Sequence, residues 1–300
     1  MEDRQFPVAL GRVAAALLVS ALLGSPAGPA RAQNVPVDLE LALAVDVSRS
    51  VDEEEAALQR NGYIAAFRHP GVVEAIRSGP LGRIAVIYYE WGDYGDIFPV
   101  VDWTLIGDKA SANGFAEALN RSMPNSGRRT GISGALEHGA SLFDRNRFDG
   151  RRRVIDVSGD GENNSGALVD RMRDRVVAMG ITINGLPILN GRRSPGGWRQ
   201  IDSLDLYYRD CVIGGPGAFH IVANDFRDFA RAVLRKLILE IAGLTPPDAA
   251  PSPRTDRRHP YLVRVAAPRV APPCDIGERR RRQRWLGDDD MIAPPPRPTP

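Results

Sequence analysis

The sequence is poor in the residues that most often bind transition metals. Its 300 residues include two cysteines and four histidines, with neither a Cys-x-x-Cys pair nor a cluster of cysteine with histidine. Structural zinc sites are built from such clusters, so none is expected here. The Gly-x-Ser-x-Gly turn that carries the nucleophile of many serine hydrolases is also absent. We therefore expect neither a zinc protein nor a serine hydrolase.

Long apolar runs are missing as well. The run from Val13 to Leu23 is shorter than the ~20 residues that a membrane-spanning helix needs. It follows a charged start, and Ala30-Arg31-Ala32 then offers the small residues at which a signal peptidase cleaves. These features predict a cleaved secretory signal over residues 1–32, a mature chain that begins at Gln33, and no transmembrane segment after cleavage. We expect the mature protein to be periplasmic or secreted.

The composition changes near residue 245. Residues 33–244 have the length and apolar content of one domain with its own core. Residues 245–300 hold 13 of the 24 prolines, together with the basic run Arg279 to Arg284 and the acidic run Asp288 to Asp290. Such a segment buries too little apolar surface to offset the entropy lost on ordering, so we expect a disordered tail.

Charge is nearly balanced, with a formal net charge of +2 at pH 7. The excess of arginine lies in the predicted tail, whereas the predicted domain is slightly acidic. A nucleic-acid-binding face is therefore not expected. The arginines of the tail suggest at most a weak contact with anionic surfaces.

The two cysteines, Cys211 and Cys274, leave their pairing open. An exported protein meets oxidising conditions, which permit a disulfide. Cys274, however, falls in the predicted tail, and Cys211 follows the strand-like stretch Leu206-Tyr207-Tyr208. We therefore expect Cys211 to be a buried free thiol.

Strand and helix patterns alternate along the predicted domain. Strands are predicted over 38–45, 83–89, 97–105, 153–157, 181–189 and 218–222, and helices over 51–67, 109–122, 131–145, 167–179 and 225–241. This alternation predicts an α/β fold, with a doubly wound, mostly parallel sheet covered by helices on both faces, as in Rossmann-like proteins. The second and third strands are joined by a segment too short for a crossover helix, which predicts one antiparallel edge strand.

Oxygen-bearing side chains follow two of the predicted strands and precede one predicted helix. Asp46, Ser48 and Ser50 come directly after the first strand, Thr130 precedes a helix, and Asp160 follows the strand over 153–157. Ligands of open α/β sheets bind outside the carboxyl ends of the strands. Because all five donors are hard oxygens, they favour Mg²⁺ or Mn²⁺ over zinc.

The predicted site is short of negative charge. It offers two carboxylates, Asp46 and Asp160, and three neutral hydroxyls, whereas Mg²⁺ favours six oxygen ligands. If Ser48, Ser50 and Thr130 bind directly and the two aspartates bind largely through water, the cation stays electrophilic and keeps a replaceable ligand. An Asp or Glu of a protein partner could fill that position.

The motifs DVSRS (46–50), RTGISGAL around Thr130, and SGDGEN around Asp160 resemble the metal-ion-dependent adhesion site of von Willebrand factor type A domains. The resemblance covers about residues 36–243 and implies that fold, a divalent cation held by the five residues, and adhesion-type protein binding. The stretch YYRDCVIGGPGAF is similar to a secreted bacterial branch described as a domain of unknown function. The third motif departs from the family, since Ser158-Gly159 stands where a hydrophobic residue and threonine are frequent.

Two other functions stay open. SGDGENN resembles the metal-binding loop of haloacid-dehalogenase-like phosphatases, but Ser48 stands where that family's general acid is expected. The only lysines, Lys109 and Lys236, are not placed to bind phosphate. A scaffold domain whose metal is purely structural is the third possibility.

Some neighbours of the motifs have two interpretations each. Tyr88, Tyr89 and Trp91 either line a ligand surface or, as we expect, pack in the core or at its rim. The residues that follow Asp160, from Glu162 to Asn164, either orient that aspartate or cap the next helix.

Overall fold

The computed structural model of the chain describes Met1 and residues 34–123, 125–191, 199–246 and 269–289. The chain divides into two units, Met1–Gln33 and Asn34–Pro300, and the account below concerns the second. Apart from Met1, the predicted secretory signal lies outside the described residues, as do residues 247–268 and 290–300 of the predicted tail. Within the described part of the chain, no helix is both long and apolar enough to cross a membrane.

The elements alternate much as the sequence predicts. In chain order they are β1 (Val35–Val37), β2 (Leu39–Asp46), α1 (Glu53–Arg68), α2 (Pro70–Arg77), β3 (Ile84–Trp91), β4 (Ile97–Ile106), α3 (Lys109–Asn120), α4 (Ile132–Leu142), a 3-10 turn (Phe143–Arg145), β5 (Phe148–Gly150), β6 (Arg153–Gly159), α5 (Val169–Ala178), β7 (Thr182–Pro187), α6 (Leu204–Tyr207), a π turn (Tyr208–Val212), α7 (Phe229–Ala242) and α8 (Ile276–Asp289).

The main sheet has five strands in the order β4-β3-β2-β6-β7. Strands β3, β2, β6 and β7 are mutually parallel, and β4 pairs antiparallel with β3 at the edge. The predicted doubly wound sheet with one antiparallel edge strand is thus confirmed. Strands β1 and β5 form a separate parallel pair that the sequence pattern did not predict.

The central strand β2 is buried on both faces, and its alternate residues pack into two separate hydrophobic cores. Leu41 and Leu43 belong to one core, with helices α1, α2, α3 and α7, whereas Ala42 and Ala44 belong to the other, with α4 and α5. Burial of each large apolar side chain contributes about 1.5–3 kcal/mol. Helices on both faces leave the carboxyl ends of β2 and β6 as the place where loops gather.

Two predicted strand-like segments have other structures. Residues 218–222 meet β7 at one isolated bridge, Gly185 with His220, and the Phe219 backbone N–H donates to the Asn184 side chain at 3.0 Å instead of continuing a ladder. The stretch Leu206-Tyr207-Tyr208 is helical, in α6 and the π turn that follows. The aromatic residues suggested a strand, and that prediction was wrong. Their rings are buried in the core, but the backbone that carries them is helical.

Helix α2 was not predicted, although its start carries two recognisable signals. Pro70 occupies the first turn, where a missing N–H costs nothing, and the His69 ring accepts the Gly71 backbone N–H at 3.0 Å. The helix has only eight residues, which is too short for a clear apolar periodicity.

The expectations for the cysteines and the tail are corrected by the described residues. Cys211 forms a disulfide with Cys274, so Cys211 is not a free thiol. Part of the predicted disordered tail forms helix α8, with an ion pair between Asp275 and Arg279 at 2.8 Å in its first turn. Composition misled here because the covalent bridge and charge contacts order this segment, whereas the prediction counted only apolar burial.

Replacing both cysteines, as Cys211→Ser with Cys274→Ser, should lower the free energy of unfolding by about 2–4 kcal/mol. The physical reason is that the bridge joins residues 63 positions apart and so restricts the unfolded chain. Guanidinium denaturation of the oxidised protein measures the difference. Wild type treated with a reductant is the matched control and should unfold like the double variant. Complete labelling of both cysteines in unfolded, untreated wild type would contradict the bridge.

Candidate metal centre

The first loop of the site leaves strand β2 at its carboxyl end. Asp46 is the last residue of the strand, and its Oδ1 accepts the Ser48 backbone N–H at 2.7 Å. This bond turns the chain so that Ser48 Oγ lies 3.1 Å from Ser50 Oγ. Gln59 on α1 donates to the Asp46 carbonyl at 3.0 Å, which ties the loop to the helix behind it. The alternating oxygens of DVSRS therefore converge, as the sequence predicts.

The second loop, residues 125–131, packs against the end of β3 through a close contact between two glycines. A Cβ on Gly92 would lie 2.6 Å from the Cα of Gly127, so neither position has room for a side chain. The Gly127 N–H donates to the Val47 carbonyl at 2.6 Å, and the Gly131 N–H donates to the Gly92 carbonyl at 2.8 Å. Thr130 is held between them, with Oγ1 at 3.5 Å from Ser48 Oγ.

The third loop, residues 160–168, leaves strand β6 beside β2. The register pairs Val45 with Ser158, which places the two strand ends side by side. Asp160 Oδ1 accepts a hydrogen bond from Ser50 Oγ at 2.6 Å, and its Oδ2 accepts one from Asn190 at 2.7 Å. The structure therefore brings all five predicted residues, Asp46, Ser48, Ser50, Thr130 and Asp160, to one place.

The site concentrates negative charge away from water. Burial raises the pKa of Asp46 well above its usual range, and the charge of Asp160 raises it further. Burial also raises the pKa of Asp160 from its usual 3.8 to about 6, against the lowering effect of the Ser50 hydrogen bond. Glu55 and Glu162 add to the rise. The two carboxylates therefore lie in a buried, acidic setting.

One buried carboxylate oxygen is the clearest sign that this site suits a cation. Asp46 Oδ2 is fully buried and has no hydrogen-bond partner among the described residues. Buried charges are ordinarily paired or bound to metals, because an unpaired one costs several kcal/mol. The donors fit a hard divalent cation, since they are oxygens alone. Within the described ranges no cluster of three or more His, Cys, Asp or Glu suits a metal, so the hydroxyls are essential to this fit.

Sequence reasoning missed how the second and third loops are joined. Asn164 Oδ1 accepts the Thr130 N–H at 3.2 Å, and Asn163 Oδ1 accepts the Ser133 N–H at 2.9 Å. These asparagines therefore bind the second loop and the start of α4; capping the next helix, one of the two proposed roles, is not what they do. The adjacent pair of amides after SGDGE was the available signal, but its target lies about 30 residues away.

The departure in the third motif has a steric reason. A Cβ on Gly159 would lie 2.8 Å from both Asp46 Oδ2 and the Tyr208 hydroxyl. The Tyr208 side chain thus occupies space next to Asp46 that a threonine at position 159 would need. Tyr208 is a further neighbour of the site that the sequence did not reveal, because it arrives from the π turn.

A buried ion pair supports the second loop from behind. Arg60 on α1 pairs with Glu90 on β3, and both side chains are almost fully buried. Glu90 Oε2 accepts hydrogen bonds from the Asn125 backbone and side chain at 2.9 and 2.8 Å. Arg60 also donates to the Ser122 carbonyl at 2.6 Å. The pair therefore fixes the segment that leads to Thr130.

Other candidate residues have structural positions. Tyr88, Tyr89 and Trp91 are fully buried, as expected for core residues. Lys236, on α7, is buried between Asp156 at 2.5 Å and Glu240 at 3.3 Å. Its charge is engaged inside the core, so it is not available to bind a phosphate group at the loops.

Comparison with known proteins gives a family and a fold. The sequence matches the family described as "Protein of unknown function (DUF1194)" over residues 36–245. No curated protein matches it significantly. The pilus adhesin SpaC from Lactobacillus rhamnosus GG is 13% identical, with a TM-score of 0.50 over 70% of this chain and 31% of that chain.

Two further structures are similar at lower scores. Proximal thread matrix protein 1 of the mussel byssus is 15% identical, with a TM-score of 0.48 over 70% of this chain and 50% of that one. A von Willebrand factor type A protein from Catenulispora acidiphila is 13% identical, with a TM-score of 0.45 over 69% and 43%. The chain spans half or less of each of these structures. At such identities the likeness shows the fold alone.

The raised carboxylate pKa values predict that, when a chelator removes divalent cations, the folded protein loses stability as the pH rises. The folded protein holds the Asp160 proton more tightly than the unfolded chain does, so this stabilisation is present below pH 3.8 and is lost as the pH rises through about 6. Asp46→Asn removes one of the two charges. At pH 8 in chelator, this variant should unfold with a free energy about 1–3 kcal/mol higher than wild type, and the difference should shrink at pH 4.5.

Urea denaturation at the two pH values measures this difference. Asp144→Asn is the matched control, because Asp144 is an exposed acid with 70% of its side chain accessible. Equal or lower stability of Asp46→Asn at pH 8 would show that the carboxylate pair carries no such cost.

Proposed function

Because the chain belongs to the DUF1194 family and its motifs at 46–50, Thr130 and Asp160 resemble the metal-ion-dependent adhesion site of von Willebrand factor type A domains, we propose that it is an exported, metal-dependent protein-binding module. A divalent cation, Mg²⁺ or Mn²⁺, is held at the carboxyl ends of β2 and β6. An Asp or Glu of a protein partner completes the coordination of that cation. The module thus works by adhesion-type capture of an acidic side chain.

The observation that carries the proposal is the convergence of five oxygen-bearing residues around an acidic, buried point. Asp46 and Asp160 lie at the ends of adjacent parallel strands, and Asp46 Oδ2 has no hydrogen-bond partner among the described residues. The acidic neighbour Glu55 strengthens the attraction for a cation. A site that is costly when empty gains stability from whatever cation fills it.

Each residue has a distinct part. The hydroxyls of Ser48, Ser50 and Thr130 bind the cation directly, and Asp46 and Asp160 bind it directly or through water. The two carboxylates carry a charge of −2, which neutralises a divalent cation without adding excess negative charge. The ion therefore remains a Lewis acid toward an added carboxylate. The backbone bonds among the three loops hold the donors in place, so capture requires little ordering of the module.

Export of the mature protein belongs to the same proposal. The predicted signal over residues 1–32 directs the chain to the periplasm or outside the cell. The disulfide between Cys211 and Cys274 supports this location, because such bridges persist in oxidising compartments.

Magnesium should stabilise the mature domain in proportion to its occupancy. At a magnesium concentration a hundred times the Kd, the free energy of unfolding should rise by about 2.7 kcal/mol, because the ion binds only the folded state. Asp46→Ala combined with Asp160→Ala should abolish the increase. Calorimetric melting with magnesium or with chelator measures it.

The control for this experiment is Asp144→Ala, which removes an exposed carboxylate remote from the three loops. It should keep the full response to magnesium. An equal magnesium response in wild type and in the Asp46/Asp160 double variant would place cation binding elsewhere and contradict the proposed centre.

Partner capture should depend on the same cation. Immobilised mature protein, incubated with an extract of its native cell envelope, should retain a partner in magnesium and release it in chelator, because the partner's carboxylate binds through the ion. Thr130→Ala should weaken retention, since it removes a direct ligand. The retained proteins are identified by mass spectrometry, with Asp144→Ala again as control.

Two outcomes would favour the other functions. Capture that persists unchanged in chelator would indicate a scaffold domain whose metal is structural. Hydrolysis of a generic phosphate ester, lost in Asp46→Ala, would indicate a phosphatase.

A further inference from the structure

Helix α8 lies directly against the third loop, the same loop that carries Asp160. Arg280 donates to Glu162 Oε1 at 2.6 Å, and Arg281 donates to the Asn164 carbonyl at 2.7 Å. Glu162 is fully buried, so its pairing with Arg280 is shielded from water. The arginine-rich part of the chain is therefore attached to the rim of the candidate metal centre.

The approach of α8 to this loop depends on a small residue. A Cβ on Gly277 would overlap the Asn163 carbonyl, so only glycine allows the helix to come this close. Asn163 Nδ2 donates to Glu278 Oε1 at 2.7 Å. Tyr207, whose hydroxyl donates to the Cys274 carbonyl at 3.3 Å, and the disulfide of Cys274 hold the beginning of the segment. These contacts seat α8 in one position.

A groove of about 880 Å³ lies between this helix and the second and third loops. Its walls come from α8 and from one residue of each of these loops. It is lined by Arg129, Leu168, Asp275, Glu278, Arg279, Arg281, Arg282 and Trp285. Arg129 precedes the proposed ligand Thr130 directly, so the groove begins at the edge of the candidate metal centre.

The groove is basic, although two acids lie in its wall. Asp275 pairs with Arg279 at 2.8 Å, and Glu278 accepts the hydrogen bond from Asn163. Arg129 lies 3.7 Å from a third acid, Asp93. Four arginines against three acids leave one positive charge in excess. The side chains of Arg129 and Arg279 are more than half exposed, which leaves their remaining N–H donors accessible to a ligand.

Two apolar side chains face solvent in the same groove. Trp285 is 74% exposed and Leu168 is 40% exposed. Single exposed apolar residues are common on proteins, but tryptophan next to several arginines is the composition of binding surfaces. The groove thus offers apolar contact as well as charge.

From this arrangement we propose that the groove between α8 and the second and third loops binds an extended acidic segment of the partner protein. The inference rests on the proposed function: one carboxylate of the segment binds the cation, and the acids that follow it along the partner chain pair with Arg129, Arg279 and Arg282. The centre of the surface is acidic and binds a cation, whereas its rim is basic and binds further carboxylates. The groove thereby selects partners with several acids in sequence over those with one.

A protein segment fits this surface better than a nucleic acid or a lipid. The acids Asp275 and Glu278 interrupt the basic wall, which disfavours a continuous line of phosphates. The exposed Trp285 and Leu168 offer contacts for aliphatic and aromatic side chains. Carboxylate capture at the adjacent cation also requires a ligand with carboxylates.

Two peptides test the inference. One carries a single aspartate in a glycine–serine sequence, and the other has the same aspartate followed by a run of glutamates. In magnesium and low salt, the acidic-run peptide should bind the mature protein roughly fivefold or more tightly, from the gain of a few exposed ion pairs. The gain should fall as salt is raised. Fluorescence anisotropy of labelled peptides measures both affinities.

Three variants locate the effect. Arg282→Glu should remove the gain for the acidic-run peptide and leave the single-aspartate peptide unchanged. Cys211→Ser with Cys274→Ser should do the same, because it releases α8. Arg235→Glu is the matched control: it makes the same charge change on an exposed residue of α7, which packs on the other face of the sheet, and it should keep the gain. Melting temperatures in magnesium confirm that each variant is folded.

The possible failures are distinguishable. Equal, magnesium-dependent binding of both peptides would overturn the groove and leave the metal-dependent capture intact. Binding of the acidic-run peptide that is equal in chelator, with no binding of the single-aspartate peptide, would support the groove and contradict the proposed metal capture. If Arg235→Glu lost the affinity gain for the acidic-run peptide to the same extent, the gain would come from net charge and the inference would be overturned. So would displacement of the peptide by anionic vesicles or duplex DNA at lower concentrations than those of unlabelled peptide.

Discussion

The proximity of two buried carboxylates is the constraint on which the rest of the structure depends. Asp46 and Asp160 lie at the ends of neighbouring parallel strands. The register that pairs Val45 with Ser158 places these two strand ends side by side. Burial raises the pKa values of both groups, and the charge of Asp160 raises the pKa of Asp46 further. Two like charges in a low-dielectric site are unfavourable unless protons or a cation neutralise them. The surrounding fold must therefore hold the loops firmly against this repulsion.

The three loops are held in position mainly by backbone contacts and buried polar groups. The positions of the proposed ligands therefore do not depend on strong hydrogen bonds among the ligands themselves. The contact of Gly92 with Gly127 joins the strand end after β3 to the second loop, and Asn163 joins the third loop to α4. Behind them, the ion pair of Arg60 and Glu90 fixes the approach to Thr130. A site supported in this way is preorganised, which limits the entropy lost when a partner binds.

The segment after residue 245 shows how order can arise without a large apolar face. Helix α8 is rich in arginine, yet a disulfide, a glycine contact and hydrogen bonds to the third loop place it beside the site. The covalent link lowers the entropy cost of docking, and each charged contact then adds a small amount. As a result, an acidic centre and a basic rim share one loop. Such a division of charge gives one surface two separate ways to recognise carboxylates.

The sequence by itself determined the alternation of strands and helices, the antiparallel edge strand, and the five oxygen-bearing residues of DVSRS, Thr130 and Asp160, because these follow from local periodicity and from short motifs at strand ends. Only the tertiary structure decided the pairing of Cys211 with Cys274, the place of α8, and the roles of Asn163 and Tyr208. Each of these depends on residues far apart in the chain that meet across the sheet. Local sequence patterns do not predict such long-range contacts, because composition indicates how much surface a segment can bury and not which residues it contacts.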